Sequence, residues 1–449
     1  MNLLLNKSTC NPNSDLKITG SKSETNRLLL LQALFPGITL ENTSKSDDSD
    51  VMQEALTIDL PSSVQSNLFV QVQSSLSSQA QSSLSSQAQS FLSSRAQSRD
   101  IDVHHAGTAM RFLTAYFAQK QGHEVVLTGS ARMQQRPISI LVDALTQLGA
   151  DISYVKNTGF PPIKIIGKKL IKHQVTMSAD VSSQYISALL LIAPKLQNGL
   201  ELNLVGKITS LPYIKMTLAL LNEIGVQTSF IGNKITVKHL SQIPPLGVRG
   251  LIESDWSSAS YFYSIVALSD VGTQISLSSY KQSSLQGDSV LADIYKDFGV
   301  ETIFNDNKTI TIRKITNHQP STINHQLCNS PDIAQTIAIT AFGLGLACNL
   351  TGLHTLKIKE TDRLEALKIE LTKLGASITV TNDSLHLQIS KAIRSNISIA
   401  TYQDHRMAMS FAPLALKIPI QIENADVVSK SFPTFWIDLQ SIGFQISNL

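Results

Sequence analysis

Five times along the chain, a run with helical spacing of apolar positions ends in an apolar residue plus glycine, and an alternating stretch takes over. The copies fall at 146–152, 222–228, 296–302, 372–378 and 440–446, with Gly149, Gly225, Gly299, Gly375 and Gly443 at the switch. Glycine accepts the left-handed backbone that ends a helix, and period-two alternation marks a strand with one buried face. A signal repeated at this interval is one supersecondary unit copied along the chain. Each unit reads as helix, strand, second helix, glycine exit and strand pair. First helices are predicted over 27–34, 110–118, 184–193, 259–268, 333–346 and 407–416. The last three are apolar on nearly all sides, so other elements should enclose them. Hairpins are predicted at Gly232-Asn233 and around Asn305-Asp306-Asn307.

Six units of roughly 60 to 75 residues divide into two lobes of three. The expected class is α/β, with residues 21–251 as the first lobe and 1–20 plus 252–449 as the second. The chain would cross near Gly20 and again near Leu251, which gives the first strand to the second lobe. One stretch breaks the pattern: QSSLSSQA occurs twice from Gln73, then QSFLSSRA to Ala96. Eight residues do not close whole helical turns, so no apolar stripe can build. The octad is read as a flexible surface insertion within 61–100, or else an irregular edge strand, and carries no chemistry.

The 449 residues are 42% hydrophobic, enough for large cores. A net charge of +3 gives no argument for nucleic acid or a membrane surface. Cys10, Cys328 and Cys348 are odd in number and lack metal-ligand spacing, which fits a reducing cytoplasm. The opening apolar run is too short for a secretion signal, and 337–350 is too short to span a bilayer. No GxGxxG, Walker-type loop or GxSxG elbow occurs.

Polar motifs gather just before the six first helices, at 20–27, 104–108, 180–184, 253–258, 329–332 and 403–406. Helix starts present unpaired N–H groups and partial positive charge, so they bind phosphate and carboxylate. Ser and Asp at such places are also ordinary caps. Lys22, Arg27 and Arg406 are not cap residues, and the helix dipole disfavours a cation there unless an anion shares the site. Six such ends on one side of two facing lobes would make a cleft for anions. Second helices add Arg132 and Arg136 before Pro137, and the pentad Lys359-Glu360-Thr361-Asp362-Arg363. That pentad reads either as an exposed charged first turn or as a carboxylate held among cations for acid/base work. His405 is either a capping histidine or an acid/base partner. His104-His105 lack further ligands at metal spacing.

Taken in order, GSKSETNR (20–27), AGTAMR (106–111), RMQQRP (132–137), SSQ (182–184), SPD (330–332), KETDRLEAL (359–367) and DHRMAM (404–409) resemble the EPSP synthase family, the 3-phosphoshikimate 1-carboxyvinyltransferases. The resemblance runs from Lys22 to Pro433, apart from the octad. It implies two lobes of three βαβαββ repeats, an inside-out α/β barrel of the enolpyruvyl transferase kind, hinged by two crossovers. It implies transfer of the enolpyruvyl group of phosphoenolpyruvate to the 5-hydroxyl of shikimate-3-phosphate, with phosphate released, in a cytoplasmic monomer without metal or organic cofactor. By motif, shikimate-3-phosphate would meet Lys22, Ser23, Arg27, Ser182, Ser183, Gln184, Ser210, Tyr213, Asp332 and Lys359. Phosphoenolpyruvate would meet Lys22, Gly107, Arg132, Gln184, Arg363, Arg406 and Lys430. Asp332 would take the 5-hydroxyl proton and Glu360 would shuttle the methylene proton, with Lys22 touching both substrates.

His104-His105 stand where the family commonly has Gly-Asn, and Phe112 replaces a common Pro; both are expected beside the phosphoenolpyruvate pocket. Leu211 replaces a common Lys, and Trp256 a common small residue. The sister transferase acting on UDP-N-acetylglucosamine carries a reactive loop cysteine, and none lies between Cys10 and Cys328. A catalytically inactive anion-binding homologue is the other alternative; retention of Lys22, Asp332 and Glu360 speaks against it.

Overall fold

This structure, a computed structural model, describes residues 1–57, 100–179, 182–206, 208–242, 248–390 and 392–449. Among them are five four-stranded sheets and one two-stranded sheet. One complete unit is the strand Asp100–Asp102, helix Gly107–Ala118, strand Glu124–Thr128, helix Ser139–Leu148, then strands Asp151–Tyr154 and Ile163–Ile166. The first two strands pair in parallel, and the last strand inserts antiparallel between the second and third. Gln174–Val237 repeats this βαβαββ order, with the hairpin turn at Gly232-Asn233. All five switch glycines have positive φ, from 73° at Gly299 to 110° at Gly443. The repeated signal therefore marks the left-handed exits.

The first helix of each unit is enclosed. Lys22–Leu34, Gly107–Ala118 and Ser183–Ile192 pack on one another, as do Ala334–Leu344 with Trp256–Leu268 and His405–Phe411. The sheets lie outside them and alternate, as in Gln174–Ser178, where Val175 and Met177 are buried and their neighbours exposed. Alternation of this kind is the mark of sheets with one wet face. Helices inside and sheets outside make an inside-out α/β arrangement. Two hydrophobic cores result: one from Leu28 to Ile252, the other from Leu3 to Ile18 plus Trp256 to Phe444.

Helix Lys22–Leu34 begins five residues before the predicted start at 27, and Gly107–Ala118 three before 110. The first turn of Lys22–Leu34 is polar yet buried at Glu24, Thr25, Asn26 and Arg27, so apolar periodicity does not register it.

Two parallel pairings join segments far apart in the chain, one on each core. Asn13–Leu16 pairs in parallel with Gln274–Leu277, while Val248–Leu251 pairs in parallel with Ile38–Glu41. Where the two segments pass, Gly20 bridges Ser254, and the Ser21 N–H donates to the Glu253 carbonyl at 2.8 Å. A Cβ at Gly20 would lie 1.8 Å from the Asn42 carbonyl oxygen, so the close passage requires glycine. The two-stranded sheet belongs to the first unit. The octad expected within 61–100 falls in 58–99, outside the described residues. Among the described residues no helix is long and apolar enough to cross a membrane.

Candidate active site

On the side of the second core, three segment starts converge. Asp332 lies in the turn Pro331–Ile333, Arg363 opens the helix Arg363–Lys373, and Arg406 lies in the first turn of His405–Phe411. Arginines at helix starts oppose the dipole, and carboxylates offset the cost. Arg363 is fully buried and donates to Asp404 Oδ2 (2.7 Å), Asp332 Oδ1 (2.8 Å) and Glu360 Oε2 (2.8 Å). Asp404 also caps its own helix, accepting from the Arg406 N–H at 2.8 Å. Arg406 donates to the Asp332 carbonyl (3.1 Å) and to Ser257 Oγ (3.2 Å), and Lys359 Nζ is 3.3 Å from Asp332 Oδ1.

The charges tune one another. Burial pushes the Asp332 carboxyl up, but Lys359, Arg406 and Arg363 outweigh it and hold the group well below the usual carboxylate range. Glu360 is likewise held low: burial is overcome by Arg363, Arg136 and Lys22. Both carboxylates are therefore anions among these partners. Burial keeps His405 far below the ordinary histidine range, with Lys22 adding to the effect, so its imidazole is neutral; its Nδ1 is buried with no hydrogen-bond partner.

The first core contributes differently furnished cations. Lys22 Nζ is 3.1 Å from Asp48 Oδ2; burial opposes its charge, but Asp48 and Glu360 more than offset that and raise its pKa. Arg27 is 2% exposed and has no carboxylate among its hydrogen-bond acceptors. It donates to Thr217 Oγ1 (2.8 Å), the Ser23 carbonyl (2.7 Å) and Ser187 Oγ (2.9 Å), and its guanidinium carbon lies 5.5 Å and 5.8 Å from the ring centres of Phe112 and Tyr213. Burial lowers its pKa to about 10. Phe112 is fully buried against the Arg27 guanidinium.

Gly107 opens its helix against Arg136: a Cβ there would lie 2.6 Å from the guanidinium. Gln184 Nε2 donates to Thr108 Oγ1 at 3.1 Å. Ser182 caps the helix Ser183–Ile192, and Ser210, in left-handed backbone, precedes Leu211–Glu223 and Tyr213. Across the gap, Arg132 donates to the Lys359 carbonyl (3.4 Å), and Ser429 Oγ to Asp47 Oδ2 (2.8 Å). Lys430 donates to the Gln403 carbonyl at 2.8 Å. His105 lies 3.9 Å from both Asp47 and Asp48. Trp256, where a small residue is common, is buried with its indole N–H on Glu253 at 2.8 Å.

The facing surfaces nearly touch. Ser23, Tyr213, Ser257 and Asp288 line a cavity of about 10 Å³, scarcely room for one water. A larger hollow of about 280 Å³, near Gln119, Lys169, Lys195 and His239, lies beyond the helix C-termini of the first core, away from this cluster. Motif reading did not assign Asp48, Arg136, Ser257, Asp288 or Asp404 to the site. Arg136, Ser257 and Asp404 carried a signal, as members of motifs already singled out; Asp48 and Asp288 carried none.

Fold and site together define a two-lobed inside-out α/β protein whose helix starts gather buried cations and carboxylates at one cluster. The EPSP synthase (3-phosphoshikimate 1-carboxyvinyltransferase) family model matches residues 9–439. A 3-phosphoshikimate 1-carboxyvinyltransferase of Bacteroides fragilis is 40% identical over 435 residues, covering 96% of this chain and 95% of that protein. One of Colwellia psychrerythraea is 33% identical over 440 residues, covering 97% and 99%. An EPSP synthase structure from Acinetobacter baumannii aligns over 100% of both chains with a TM-score of 0.72 at 20% identity, which establishes the fold. The chain belongs to the EPSP synthase family, and its activity is that of the shikimate pathway transferase.

Proposed function

We propose that the two lobes, 21–251 and 1–20 plus 252–449, close on phosphoenolpyruvate and shikimate-3-phosphate in a cytoplasmic monomer. Shikimate-3-phosphate is held by Lys22, Ser23, Arg27, Ser182, Ser183, Gln184, Ser210, Tyr213, Asp332 and Lys359. Phosphoenolpyruvate is held by Lys22, Gly107, Arg132, Gln184, Arg363, Arg406 and Lys430. Bidentate guanidinium contacts suit both carboxylate and phosphate.

The sharing of Arg363 among Asp332, Glu360 and Asp404 carries this reading. An incoming carboxylate competes with Glu360 for Arg363. Glu360 then loses its strongest stabilising cation, and its pKa rises toward a value at which it can carry a proton. Substrate anions raise Asp332 in the same way, turning a poor base into a useful one. The 5-hydroxyl oxygen bonds to C2 of phosphoenolpyruvate while its proton passes to Asp332 and C3 takes a proton from Glu360. C3 then returns a proton to Glu360, the C2–C3 double bond re-forms, and the C–O bond to phosphate breaks with its electron pair leaving on phosphate. Mixing both substrates with the full chain should release inorganic phosphate. Turnover with UDP-N-acetylglucosamine in place of shikimate-3-phosphate, and none with the latter, would reject the assignment.

A further inference from the structure

Asp288 is a buried carboxyl that none of these roles uses. It sits in the turn Gly287–Val290, 4% exposed, on the wall of the small cavity between the lobes. It accepts the hydroxyl hydrogen of Ser257, which lies in the first turn of Trp256–Leu268. A serine hydroxyl has one hydrogen and two lone pairs. With the hydrogen given to Asp288, only lone pairs face the other way, and Arg406 donates to that oxygen at 3.2 Å. The other Arg406 anchors are the carbonyl of Asp332 and, at 3.6 Å, its carboxylate.

We infer that Asp288, acting through the Ser257 hydroxyl, is a positioning residue that sets the plane of the Arg406 guanidinium for the carboxylate of phosphoenolpyruvate. The relay runs Arg406 to Ser257 to Asp288, and the carboxylate fixes its direction: a protonated Asp288 would offer its own hydrogen to Ser257 and disturb the chain. The charged and titratable groups facing Asp288 are Asp332, Arg406, Asp255 and Tyr213. Burial, reinforced by Asp332 and opposed by Arg406, raises its pKa to about 6. The inference rests on the assignment of Arg406 to phosphoenolpyruvate.

Steady-state kinetics of the full chain, varying each substrate in turn, tests it. Ser257→Ala and Asp288→Asn should each raise KM for phosphoenolpyruvate about tenfold, the effect of loosening one charged hydrogen bond. KM for shikimate-3-phosphate should hold within twofold, and Ser257→Thr should restore the native value. In the unmodified enzyme KM for phosphoenolpyruvate should rise as pH falls through about 6. Asp288→Asn should lack that part of the profile. Should Asp288→Asn fold poorly, the Ala and Thr variants at 257 decide alone. Arg406→Lys separates the two layers: if it raises KM and Ser257→Ala does not, the relay is wrong. If Arg406→Lys leaves KM unchanged, the assignment beneath it is wrong.

Discussion

The two lobes face the cleft with the same device, a cation near a helix start, but supply its counter-charge differently. In the second lobe every cleft arginine meets carboxylate: Arg363 engages Asp332, Glu360 and Asp404, and Arg406 reaches Asp332. In the first lobe Arg27 rests on hydroxyls, carbonyls and ring faces. Glu24, one helical turn away, does not neutralise it. Burial raises that carboxyl to about 7, against the pull of Lys281. Ion pairing rules on one side and desolvation on the other. At Arg27 the first lobe is therefore short of negative charge, whereas the second lobe's arginines are balanced by carboxylates. Lys22, paired with Asp48 and influenced by Glu360, spans the two regimes.

The largest expected effect breaks the balanced side. Asp332→Ala should retain shikimate-3-phosphate binding yet lower kcat by about 10²–10⁴-fold, the range of a lost general base. Near-normal turnover would remove Asp332 from the proton path. Next, the two buried arginines should respond oppositely to methionine. Arg363→Met strands three carboxylates and should cost about 3–5 kcal/mol in urea unfolding. Arg27→Met removes an unbalanced charge and should change stability by no more than about 1 kcal/mol while weakening shikimate-3-phosphate binding. Equal losses would erase the distinction between the lobes.

A further effect is a pH dependence. Glu24 titrates at about 7 in the folded chain against an ordinary 4.5, so the folded state holds its proton longer. Its contribution is complete below 4.5 and is lost as pH rises through 7. Glu24→Gln should abolish that decline, worth up to about 3 kcal/mol between pH 5 and 8. Thermal melts of the two proteins with parallel pH profiles would show that burial does not govern Glu24.

What was legible in the sequence was local. Gly149, Gly225, Gly299, Gly375 and Gly443 each announce a helix exit through their neighbours alone, and all five have positive φ. The enclosed helices were legible through unbroken apolar runs. Their first turns were hidden, because the residues that line a cleft are polar and break the periodicity. Lys22, Arg27 and Arg406 stood out as cations in the wrong place for a dipole, but their partners did not. Thr217 lies 190 positions from Arg27, and Ser257 149 from Arg406. The roles of Asp332 and Glu360 came from the family resemblance, since a carboxylate near a helix start looks like a cap until Arg363 is folded against it.

The distant strand pairings have a consequence during synthesis. Asn13–Leu16 leaves the ribosome early, but its sheet neighbour Gln274–Leu277 is made more than 250 residues later. At translation rates of about 5–20 residues per second the amino-terminal arm waits for some tens of seconds. The first lobe can gather its interior in that time, except for Val248–Leu251, which closes it last. A nascent chain halted before residue 248 therefore leaves Leu3–Leu5, Asn13–Leu16 and Ile38–Glu41, all near the amino terminus, without their sheet partners, and chaperone capture should peak there.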